Sequence, residues 1–452
     1  MDRLDKNISR REFIRHSTVS AAALGAAAMA GSYSALAAQQ KIKKVRMALV
    51  GTGIRGSTTW GTELLKELGD YVEIVGLCDI NPLRVEVANR WMGGKIPTFT
   101  DFDKMLDQTK PDRVMVTVMD CYHAQYVCRA MELGYDAMSE KPLCSTAEQA
   151  QQLIDTQKRT GRKLDVTFNA RYGQAEMKVK ELLLAGEIGD LYSVDYAEFL
   201  DLDHGASYFR RWHGIKHNSG TLLCHKASHH FDQLNWWIDS DPVEVVAYGR
   251  LNKYGSNSSI RHANCRPCPY KKQCELYYDM TTDKAFMELY AGCESADGYY
   301  RDGCLWRHDI DIPDTYSAQI KYKNGTLVTY SLNATVPFEG QLVVFNGSKG
   351  RIDLRNYNTQ PWTVPYESEL RLTRNFKGSE LVKLERQAGE FFEHGGADSR
   401  IKQMIFKPGM PDPLGQLAGM RAGLMSSGIG IAAYTSIETG RRVKISELFN
   451  IA

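Results

Sequence analysis

An apolar run that leads directly into a glycine-rich turn constrains this chain more than any other feature. Val45–Val50 is long enough for one buried strand, and Gly51, Gly53 and Gly56 follow it with the spacing Gly-x-Gly-x-x-Gly. In a strand–turn–helix unit such glycines allow the tight turn, the close approach of the backbone to a pyrophosphate, and close packing of the helix on the strand. Because residues 57–68 suit a helix, the sequence predicts a dinucleotide-binding unit.

The same unit predicts which side chains would meet the nucleotide. Ile54 and Arg55 lie at the start of the helix, where free N–H groups and the helix dipole favour a phosphate. A second strand, 72–78, ends in Asp79, which is placed to accept hydrogen bonds from the adenosine ribose hydroxyls and so favours NAD over NADP. NADP stays an alternative, because Arg55 and Arg84 could both approach a 2′-phosphate.

The length and the charge of the chain bound its architecture and its partners. At 452 residues it is too long for one ordinary core, so we expect two domains. Its net charge of +2 comes without a basic stripe, which argues against a nucleic-acid-binding surface.

Residues 1–38 are predicted to be a twin-arginine export signal. Arg10 and Arg11 precede an alanine-rich stretch at 18–30, and the small residues at 35–37 suit cleavage. The apolar stretch is too short for a permanent membrane helix, so no stable membrane insertion is expected. The resemblance to such signals implies a bacterial protein that is exported folded to the periplasm with its nucleotide already bound. A disordered alanine-rich tail is the alternative.

The order of apolar runs in the first half predicts a parallel sheet with a polar cluster at its carboxyl edge. A third strand, 113–119, and a fourth, 135–138, alternate with helical segments, which is the βαβ arrangement. The fourth strand delivers the sequence Glu140-Lys141-Pro142 to the edge where ligands bind in such sheets. A lysine near a cationic nicotinamide ring can have its pKa lowered enough to exchange protons near neutrality. Alternatively, Glu140 and Lys141 form a solvated turn pair.

Together these motifs resemble those of the Gfo/Idh/MocA oxidoreductases, over nearly the whole chain after the predicted signal. The likeness rests on Gly51-x-Gly53-x-x-Gly56, Asp79 with Asn81 and Arg84, His123, Glu140-Lys141-Pro142, Asn169-Ala-Arg171-Tyr172, Gly186-Glu-Ile-Gly189 and Gly347-Ser-Lys-Gly350. The resemblance implies an α/β fold with an N-terminal Rossmann dinucleotide-binding domain at 39–167. An α+β C-terminal domain at 168–452, with an open and mostly antiparallel sheet, would follow it.

The resemblance also implies NAD as the cofactor and a lysine that acts on the substrate. In the family the lysine of the Glu-Lys-Pro motif is catalytic or positions the substrate, which assigns this role to Lys141. The residues expected to contact the cofactor are Gly51, Gly53, Ile54, Arg55, Gly56, Asp79, Arg84, Thr117, His123, Glu140 and Lys141.

Residues 219–237 form the most informative motif of the second half. Taken as one helix, they would turn His225, His229 and Asp232 to one face, so that two imidazoles would reach the cleft. The family usually has an aspartate at the position of His225 and a histidine or tyrosine at that of His229, next to the reacting carbon, so the role of His225 is open. Three interpretations compete: acid/base chemistry in which His229 assists Lys141, a Zn²⁺ site, and histidines satisfied within the core.

Residues 201–220 are predicted to be a loop over the substrate. Its aromatic and basic side chains suit a sugar, because aromatic faces stack on C–H surfaces and guanidinium groups bond hydroxyls; a surface loop with chance basic residues is the alternative. The residues expected to contact the substrate are Arg171, Tyr172, Arg211, Trp212, His213 and Tyr300, and the Gly-rich stretch 394–398 is a further candidate.

Residues 250–310 are predicted to be an insertion that holds five of the ten cysteines. Cys265, Cys268 and Cys274 have the spacing of metal ligands, and a fourth thiolate, with Cys293 as the candidate, could close a tetrahedral zinc site. Disulfides compete with zinc in an oxidising compartment, and an iron–sulfur cluster is a third alternative. None of these would carry the chemistry.

The sequence therefore predicts an NAD-dependent oxidoreductase that acts on a secondary hydroxyl of a sugar or glycoside. Oxidation at C3 of a glycoside, with the cofactor retained and recycled and a separate lyase at work beside it, is the favoured reaction. A redox-neutral NAD-dependent glycosidase and a non-catalytic sugar-binding protein are the alternatives. A small carbohydrate is the expected partner, nucleic acid is not, and a homo-oligomer is expected.

Overall fold

Six parallel strands form the first sheet of the molecule. The computed structural model describes residues 43–363, 368–384 and 396–451. The strands are β1 (Val45–Val50), β2 (Val72–Cys78), β3 (Thr98–Phe99), β4 (Arg113–Val116), β5 (Asp136–Ser139) and β6 (Leu164–Val166). Their order in the sheet is β3-β2-β1-β4-β5-β6. The central strand β1 is apolar apart from Arg46 and its last four residues are buried, as a parallel sheet between helices requires.

Helices connect these strands and cover both faces of the sheet. They are Ile54–Ser57, Leu64–Leu68, Pro82–Trp91, Phe102–Thr109, His123–Glu132 and Ala147–Thr160, with a π-helical stretch at Thr58–Glu63. Local sequence fixes their ends. The side chain of Asn81 accepts hydrogen bonds from the backbone N–H groups of Leu83 and Arg84, and Pro82 opens the helix after it.

Nine strands form the second sheet. They are β7 (Leu191–Asp201), β8 (Pro242–Arg250), β9 (Thr315–Tyr322), β10 (Leu327–Val336), β11 (Glu339–Gly347), β12 (Gly350–Thr359), β13 (Ser368–Arg374), β14 (Gly378–Val382) and β15 (Val443–Lys444). The order is β14-β13-β12-β11-β7-β10-β9-β8-β15, and only the pair β7–β10 is parallel. This confirms the predicted α/β class with a Rossmann sheet and an open, mostly antiparallel second sheet.

The second half of the chain contains nine α-helices among the described residues. They are Gln174–Leu184, Leu202–Arg210, Lys216–Ser219, Leu222–His225, Ser228–Ile238, Lys284–Leu289, Glu294–Asp297, Ala397–Phe406 and Met420–Thr439. In the last of them Gly423 lies against Leu143 and Val166, and Gly430 against the backbone of Leu223 and Cys224. Among the residues described, no helix is long and apolar enough to cross a membrane.

The structure corrects two predictions about secondary structure. Residues 201–220 do not form an open loop, because Leu202–Arg210 is a helix capped by the side chain of Asp201. Gly205 of this helix lies directly on the backbone of Ala334, which draws the helix down onto the sheet. The motif at 219–237 is not one helix either: Leu222–His225 ends before Ser228–Ile238 begins.

Part of the chain lies outside the described residues. The predicted export signal at 1–38 and His394 of the Gly-rich stretch are among these positions. Residues from Val45 onward form one compact unit that contains both sheets, and the predicted domain boundaries stay predictions.

Candidate active site

The glycine-rich turn between β1 and the first helix has the geometry that the sequence predicts. Gly51 has a φ of +91°, which side chains rarely allow, and its N–H donates to the carbonyl of Cys78 at 2.8 Å. A Cβ on Gly56 would lie 2.1 Å from the carbonyl oxygen of Gly51. The hydroxyl of Thr117 donates to the same carbonyl at 2.5 Å. These contacts hold the turn tightly against the ends of β1 and β4.

Asp79 lies directly beside this turn, at the end of β2. One of its carboxylate oxygens accepts hydrogen bonds from the backbone N–H and the hydroxyl of Thr52, at 2.7 and 2.9 Å. The other accepts from the N–H of Asn81 at 2.9 Å. The acidic residue is thus fixed where the adenosine ribose lies in a Rossmann unit, and turn, helix start and carboxylate together fit a dinucleotide.

A tyrosine from the insertion reaches the turn. The N–H of Ile54, which opens the helix, donates to the hydroxyl of Tyr290 at 2.8 Å. A Cβ on Gly53 would meet that hydroxyl at 3.4 Å, with no other heavy atom of the described residues within 4 Å outside its chain neighbours. The hydroxyl of Tyr290 therefore lies at the edge of the place where a pyrophosphate would approach the helix N-terminus.

Residues 284–297, which we call the cover segment, pack along the helix Pro82–Trp91. The amide of Asn81 donates to the carbonyl of Cys293 at 2.9 Å, and the guanidinium of Arg84 pairs with Asp297 at 2.7 Å. Glu288 accepts from the indole of Trp91 at 2.9 Å. Val87, Leu289, Tyr290 and Cys293 form a small buried apolar cluster between the two.

Arg84 and Arg55, expected at the cofactor, are used in ion pairs. Arg84 also lies 3.6 Å from Asp79. The guanidinium of Arg55 forms ion pairs with the carboxylates of Glu140 at 2.7 Å and of Asp398 at 2.9 Å. The indole of Trp60 also donates to Glu140, at 2.7 Å. Burial alone would raise the pKa of Glu140, but Arg55 and Trp60 hold it below its usual value.

His123 contacts the backbone of the Glu-Lys-Pro motif. It is buried, with Nδ1 2.6 Å from the carbonyl oxygen of Pro142 and Nε2 3.1 Å from that of Val118. Burial lowers its pKa, so the ring is neutral near pH 7 and donates to one of the two carbonyls. The peptide bond between Lys141 and Pro142 is cis.

Lys141 lies at the carboxyl end of β5, half-buried, with its ammonium nitrogen facing the second half of the chain. Its Nζ donates to the carbonyl oxygen of His225 at 3.1 Å. Burial lowers the pKa of Lys141 to about 8, although the charges of Asp120 and Glu140 act in the opposite direction. A substantial fraction of the amine is therefore neutral at slightly alkaline pH and can accept a proton.

Asp120 and His225 form a second titratable pair beside Lys141. Nδ1 of His225 lies 2.6 Å from a carboxylate oxygen of Asp120. Burial raises the pKa of Asp120 well above its usual value, and burial together with the charge of Lys141 lowers that of His225. The sequence did not point to Asp120, since it precedes His123 in a short turn without a recognised motif.

Aromatic rings surround His225 on its other sides. The ring of His213 lies 4.2 Å from that of His225, and Trp212 stacks on His213 at 3.5 Å between centroids. Tyr208 lies 5.4 Å from His225, and the guanidinium of Arg211 lies over Tyr208 at 5.3 Å. The structure therefore brings together the three residues Arg211, Trp212 and His213 that the sequence assigned to the substrate, and it adds Tyr208.

The segment that carries His225 begins with a strained residue. Thr221 has a φ of +94° and a ψ of 170°, a region that only glycine normally adopts. Its hydroxyl accepts from the N–H of Leu223 at 3.2 Å. Strain of this kind costs on the order of 1–3 kcal/mol and is concentrated at functional sites.

His229 lies one turn farther along and packs against Phe168, with 6.2 Å between ring centroids. It is half-buried, in the first turn of the helix Ser228–Ile238. Its role in assisting Lys141 stays a prediction.

Three predicted substrate residues lie apart from the aromatic cluster. Arg171 forms a buried two-point ion pair with Asp232 at 2.6 Å, which uses its guanidinium within the core. Tyr172 is buried against Ala397. Tyr300 is exposed on the insertion. Their assignment to the substrate finds no support in this geometry, because core packing occupies the first two.

Lys226 was also missed, although it stands within the histidine motif. Its Nζ lies 3.2 Å from a carboxylate oxygen of Glu198 on β7. Burial raises the pKa of Glu198 to about 7, and Lys226 opposes that rise. Lys226 and Glu198 thus form a further acid–base pair, and Lys226 directly follows His225 in the sequence.

The ten cysteines are all free thiols. Cys293 belongs to the apolar cluster under the cover segment, whereas Cys304 lines a cavity together with Cys265, Cys268 and Cys274. This corrects the predicted fourth member of the set. Within the described residues, no three His, Cys, Asp or Glu side chains are arranged to hold a single metal ion, and this includes the predicted pair His225 and His229.

Comparisons with known proteins agree with this architecture. Residues 45–168 match the family model described as "Oxidoreductase family, NAD-binding Rossmann fold", and residues 180–445 match its "C-terminal alpha/beta domain". The chain is 32% identical over 424 residues to YteT of Bacillus subtilis, which carries the name of an oxidoreductase; the match covers 89% of this chain and 98% of YteT.

Two further relatives match over shorter stretches. Glycosyl hydrolase family 109 protein 1 of Akkermansia muciniphila is 29% identical over 49% of this chain and 48% of its own length. D-glucoside 3-dehydrogenase of Escherichia coli K12 is 30% identical over 33% of this chain and 41% of its own.

Solved structures share the fold at low identity. An oxidoreductase from Agrobacterium radiobacter, in complex with NAD⁺, L-tartaric acid and magnesium, has a TM-score of 0.63 at 16% identity, over 90% of this chain and 100% of its own. The WlbA dehydrogenase of Bordetella pertussis, in complex with NADH and UDP-GlcNAcA, has a TM-score of 0.61 at 18% identity, over 89% of this chain and 99% of its own.

Proposed function

Because the chain belongs to the Gfo/Idh/MocA oxidoreductase family and binds NAD through its Rossmann fold, we propose that it oxidises a secondary hydroxyl of a sugar or glycoside, with Lys141 as the base. The observation that carries this proposal is the Lys141 amine. It is half-buried at the ligand-binding edge of the first sheet, has a pKa of about 8, and lies hydrogen-bonded to the segment that carries His225. Bound NAD supplies the hydride acceptor.

The residues around Lys141 can bind a hydroxyl and move its proton. Neutral Lys141 accepts the proton of the reacting hydroxyl. His225, held neutral by burial, is oriented by Asp120 at 2.6 Å. With Nδ1–H donating to that carboxylate, Nε2 of His225 is the acceptor that can bind a hydroxyl proton. His229, at the position where the family carries its usual histidine or tyrosine, is assigned the assisting role.

The aromatic cluster suits a carbohydrate ring. Trp212 and Tyr208 offer aromatic faces, and Arg211 offers donors for hydroxyl oxygens. Nδ1 of His213 is buried without a hydrogen-bonding partner among the described residues. A buried polar atom of this kind costs free energy until it is satisfied, and a sugar hydroxyl would satisfy it.

We assign the oxidation to C3 of a glycoside, with the cofactor kept on the protein. The likeness to the D-glucoside 3-dehydrogenase supports the carbon, over a third of this chain. The cover segment supports retention, because its contacts with Asn81, Arg84 and Ile54 close over the nucleotide side of the glycine-rich turn. A retained NADH must be reoxidised in place, which calls for a keto-sugar acceptor, and the 3-keto product would be the substrate of a separate lyase.

Periplasmic export is part of the proposal. The twin arginines Arg10 and Arg11 support it. The test is fractionation of cells that express either the full chain or the variant Arg10→Lys/Arg11→Lys. The full chain should be recovered from the periplasm, and the variant should stay in the cytoplasm. Periplasmic recovery of the variant at the level of the parent would refute a twin-arginine route.

A redox-neutral glycosidase is the second candidate, favoured by the likeness to the Akkermansia glycosyl hydrolase over about half of this chain. The glycosidase branch of the family carries a His-Gly-Leu-Gly-Pro-type stretch at the place where this chain has His225-Lys-Ala-Ser-His229. This mismatch counts against the glycosidase. The two candidates differ in product: a dehydrogenase yields a keto-glycoside and the glycosidase yields a free aglycone.

The deciding experiment incubates the purified protein with a panel of glycosides, with and without a keto-sugar acceptor. We expect a keto-glycoside that accumulates only with the acceptor, and loss of turnover in Lys141→Met. Lys180→Met is the matched control, since Lys180 is another buried lysine, bonded to the carbonyl of Trp236 and outside the site. Aglycone release without acceptor would establish the glycosidase, and no turnover of any sugar would overturn both.

A further inference from the structure

Four of the five cysteines in the insertion surround one cavity. Cys265, Cys268, Cys274 and Cys304 line it, together with Arg210 and Trp306. Cys265 and Cys304 are buried, and the other two are half-buried. Nothing in the proposed reaction uses these thiols.

Backbone hydrogen bonds hold the four cysteines in place. The N–H of Cys265 donates to the carbonyl of Asp302 at 2.8 Å, and that of Cys304 to the carbonyl of Ala263 at 3.0 Å. This antiparallel pairing places Cys304 beside Cys265 across a long stretch of sequence. Tight turns hold Cys268 and Cys274, whose N–H groups donate to the carbonyls of residues 265 and 270.

Asp302 fastens this pairing. Its carboxylate is fully buried and accepts hydrogen bonds from the amide of Asn264 and from the backbone and side chain of Arg266. A buried network of hydrogen bonds around Asp302 therefore fixes the backbone that carries Cys265 and Cys304.

One buried cation, Arg210, faces the cavity, and it opposes the rise that burial causes in the pKa of the Cys265 thiol. Arg210 is buried, and its Nη1 donates to Sγ of Cys265 at 3.2 Å while the guanidinium lies over the ring of Tyr278. No ion pair between Arg210 and a carboxylate is found in the described part of the chain. A buried guanidinium is costly without an anion, and thiolates around the cavity would supply one. The backbone N–H of Trp306 also points at Sγ of Cys304, at 3.4 Å.

We propose that Cys265, Cys268, Cys274 and Cys304 bind a four-iron, four-sulfur cluster. Such a cluster takes four cysteine thiolates, one on each iron, and fills the space between them. The thiols here stand around a cavity and do not meet at one point, whereas zinc, with Zn–S bonds of about 2.3 Å, draws its four sulfurs together. Hydrogen bonds from N–H groups to the sulfurs and a nearby arginine suit an anionic cluster.

The cluster would act as an anchor for the cover segment. Cys274 and Cys304 lie on either side of residues 284–297 in the sequence, so a group that joins them fixes both ends of the stretch that carries Tyr290 to the glycine-rich turn. No electron transfer is part of this proposal.

The test is elemental analysis of the full chain produced and purified without oxygen. We expect iron and acid-labile sulfide in equal amounts, about four of each per chain, with a Mössbauer spectrum of a cubane cluster. Cys304→Ser should lose most of the iron. Cys293→Ser is the matched control, because Cys293 lies in the apolar cluster away from the cavity, and it should keep the iron.

The parent protein decides the question even if Cys304→Ser fails to fold. One zinc per chain without sulfide would overturn the proposal in favour of a mononuclear site. Disulfides found by mass spectrometry among these four cysteines in the anaerobic protein, or retention of iron by Cys304→Ser alongside loss from Cys293→Ser, would also overturn it.

Discussion

Changing the charge next to Lys141 should move the pH dependence of the reaction. The pKa of Lys141 falls from the usual 10.5 to about 8. At 1.36 kcal/mol per pKa unit, this shift amounts to about 3 kcal/mol in favour of the neutral amine. Turnover that needs neutral Lys141 should therefore rise with pH and level off above about 8.

The variant Asp120→Asn tests the cause of this value. Burial lowers the pKa of Lys141, and the carboxylate of Asp120 is the first of the charges that oppose it. Burial raises the pKa of Asp120 and the charge of Lys141 opposes that rise. Where Asp120 is ionised, removal of its charge should let the pKa of Lys141 fall further, so the rise in turnover should move to lower pH. Because Asp120 also orients His225 at 2.6 Å, the plateau rate should fall as well.

The assay is single-turnover reduction of the bound NAD, followed by nicotinamide absorbance as a function of pH. Lys141→Met should lose the pH-dependent limb and about 10²–10⁴-fold in rate, the range for a positioned acid–base group. Asp103→Asn is the control, since Asp103 pairs with Arg129 at the surface and should leave the profile unchanged. A profile of Asp120→Asn that moves to higher pH would refute the electrostatic reasoning, and an unaltered rate in Lys141→Met would remove the lysine from the chemistry.

Three further outcomes follow from the contacts described. Tyr290→Ala should release NAD about tenfold faster in a stopped-flow displacement assay, because the side chain closes over the glycine-rich turn; release that is unchanged or slower contradicts retention by the cover segment. Trp212→Ala should raise KM for the glycoside about three- to tenfold with a smaller effect on kcat; an effect on kcat alone would place Trp212 outside sugar binding. Asp232→Ala should lower the free energy of urea unfolding by about 3–5 kcal/mol because it leaves Arg171 buried without its partner. The exposed Glu447→Ala should cost less than about 1 kcal/mol, and equal losses would contradict the burial argument.

The sequence predicted the first sheet well because each of its signals is local. Val45–Val50 and Val72–Cys78 are each apolar apart from one charged residue, and the structure gives them the same bounds. The glycine spacing and Asp79 depend only on neighbouring residues, so their placement followed from the motif. The cofactor unit is therefore the part that could be anticipated from the chain alone.

The catalytic neighbourhood could not be anticipated in the same way. Asp120 and His225 are 105 residues apart, and only the packing of the second half against the first brings them to 2.6 Å. The segment after Asp201 was interpreted as a loop because its polar residues hid the apolar positions Ala206 and Phe209, which pack inward in the structure. Asp201 as a helix cap, followed by apolar residues at 206 and 209, is the sequence signal that indicates this helix.

The insertion shows most clearly what local spacing leaves out. Three of its cysteines share a short motif, but the fourth, Cys304, is selected by the pairing of Asn264 with Gly303. The same folding directs Arg210 to the cavity, while the next residues, Arg211 and Trp212, reach the aromatic cluster around His225. Residues at and just after the end of the helix Leu202–Arg210 therefore contact both the cysteine cavity and the proposed sugar site. The same insertion carries Tyr290 to the nucleotide turn, so its geometry bears on both parts of the proposal, the binding of a sugar and the retention of the cofactor.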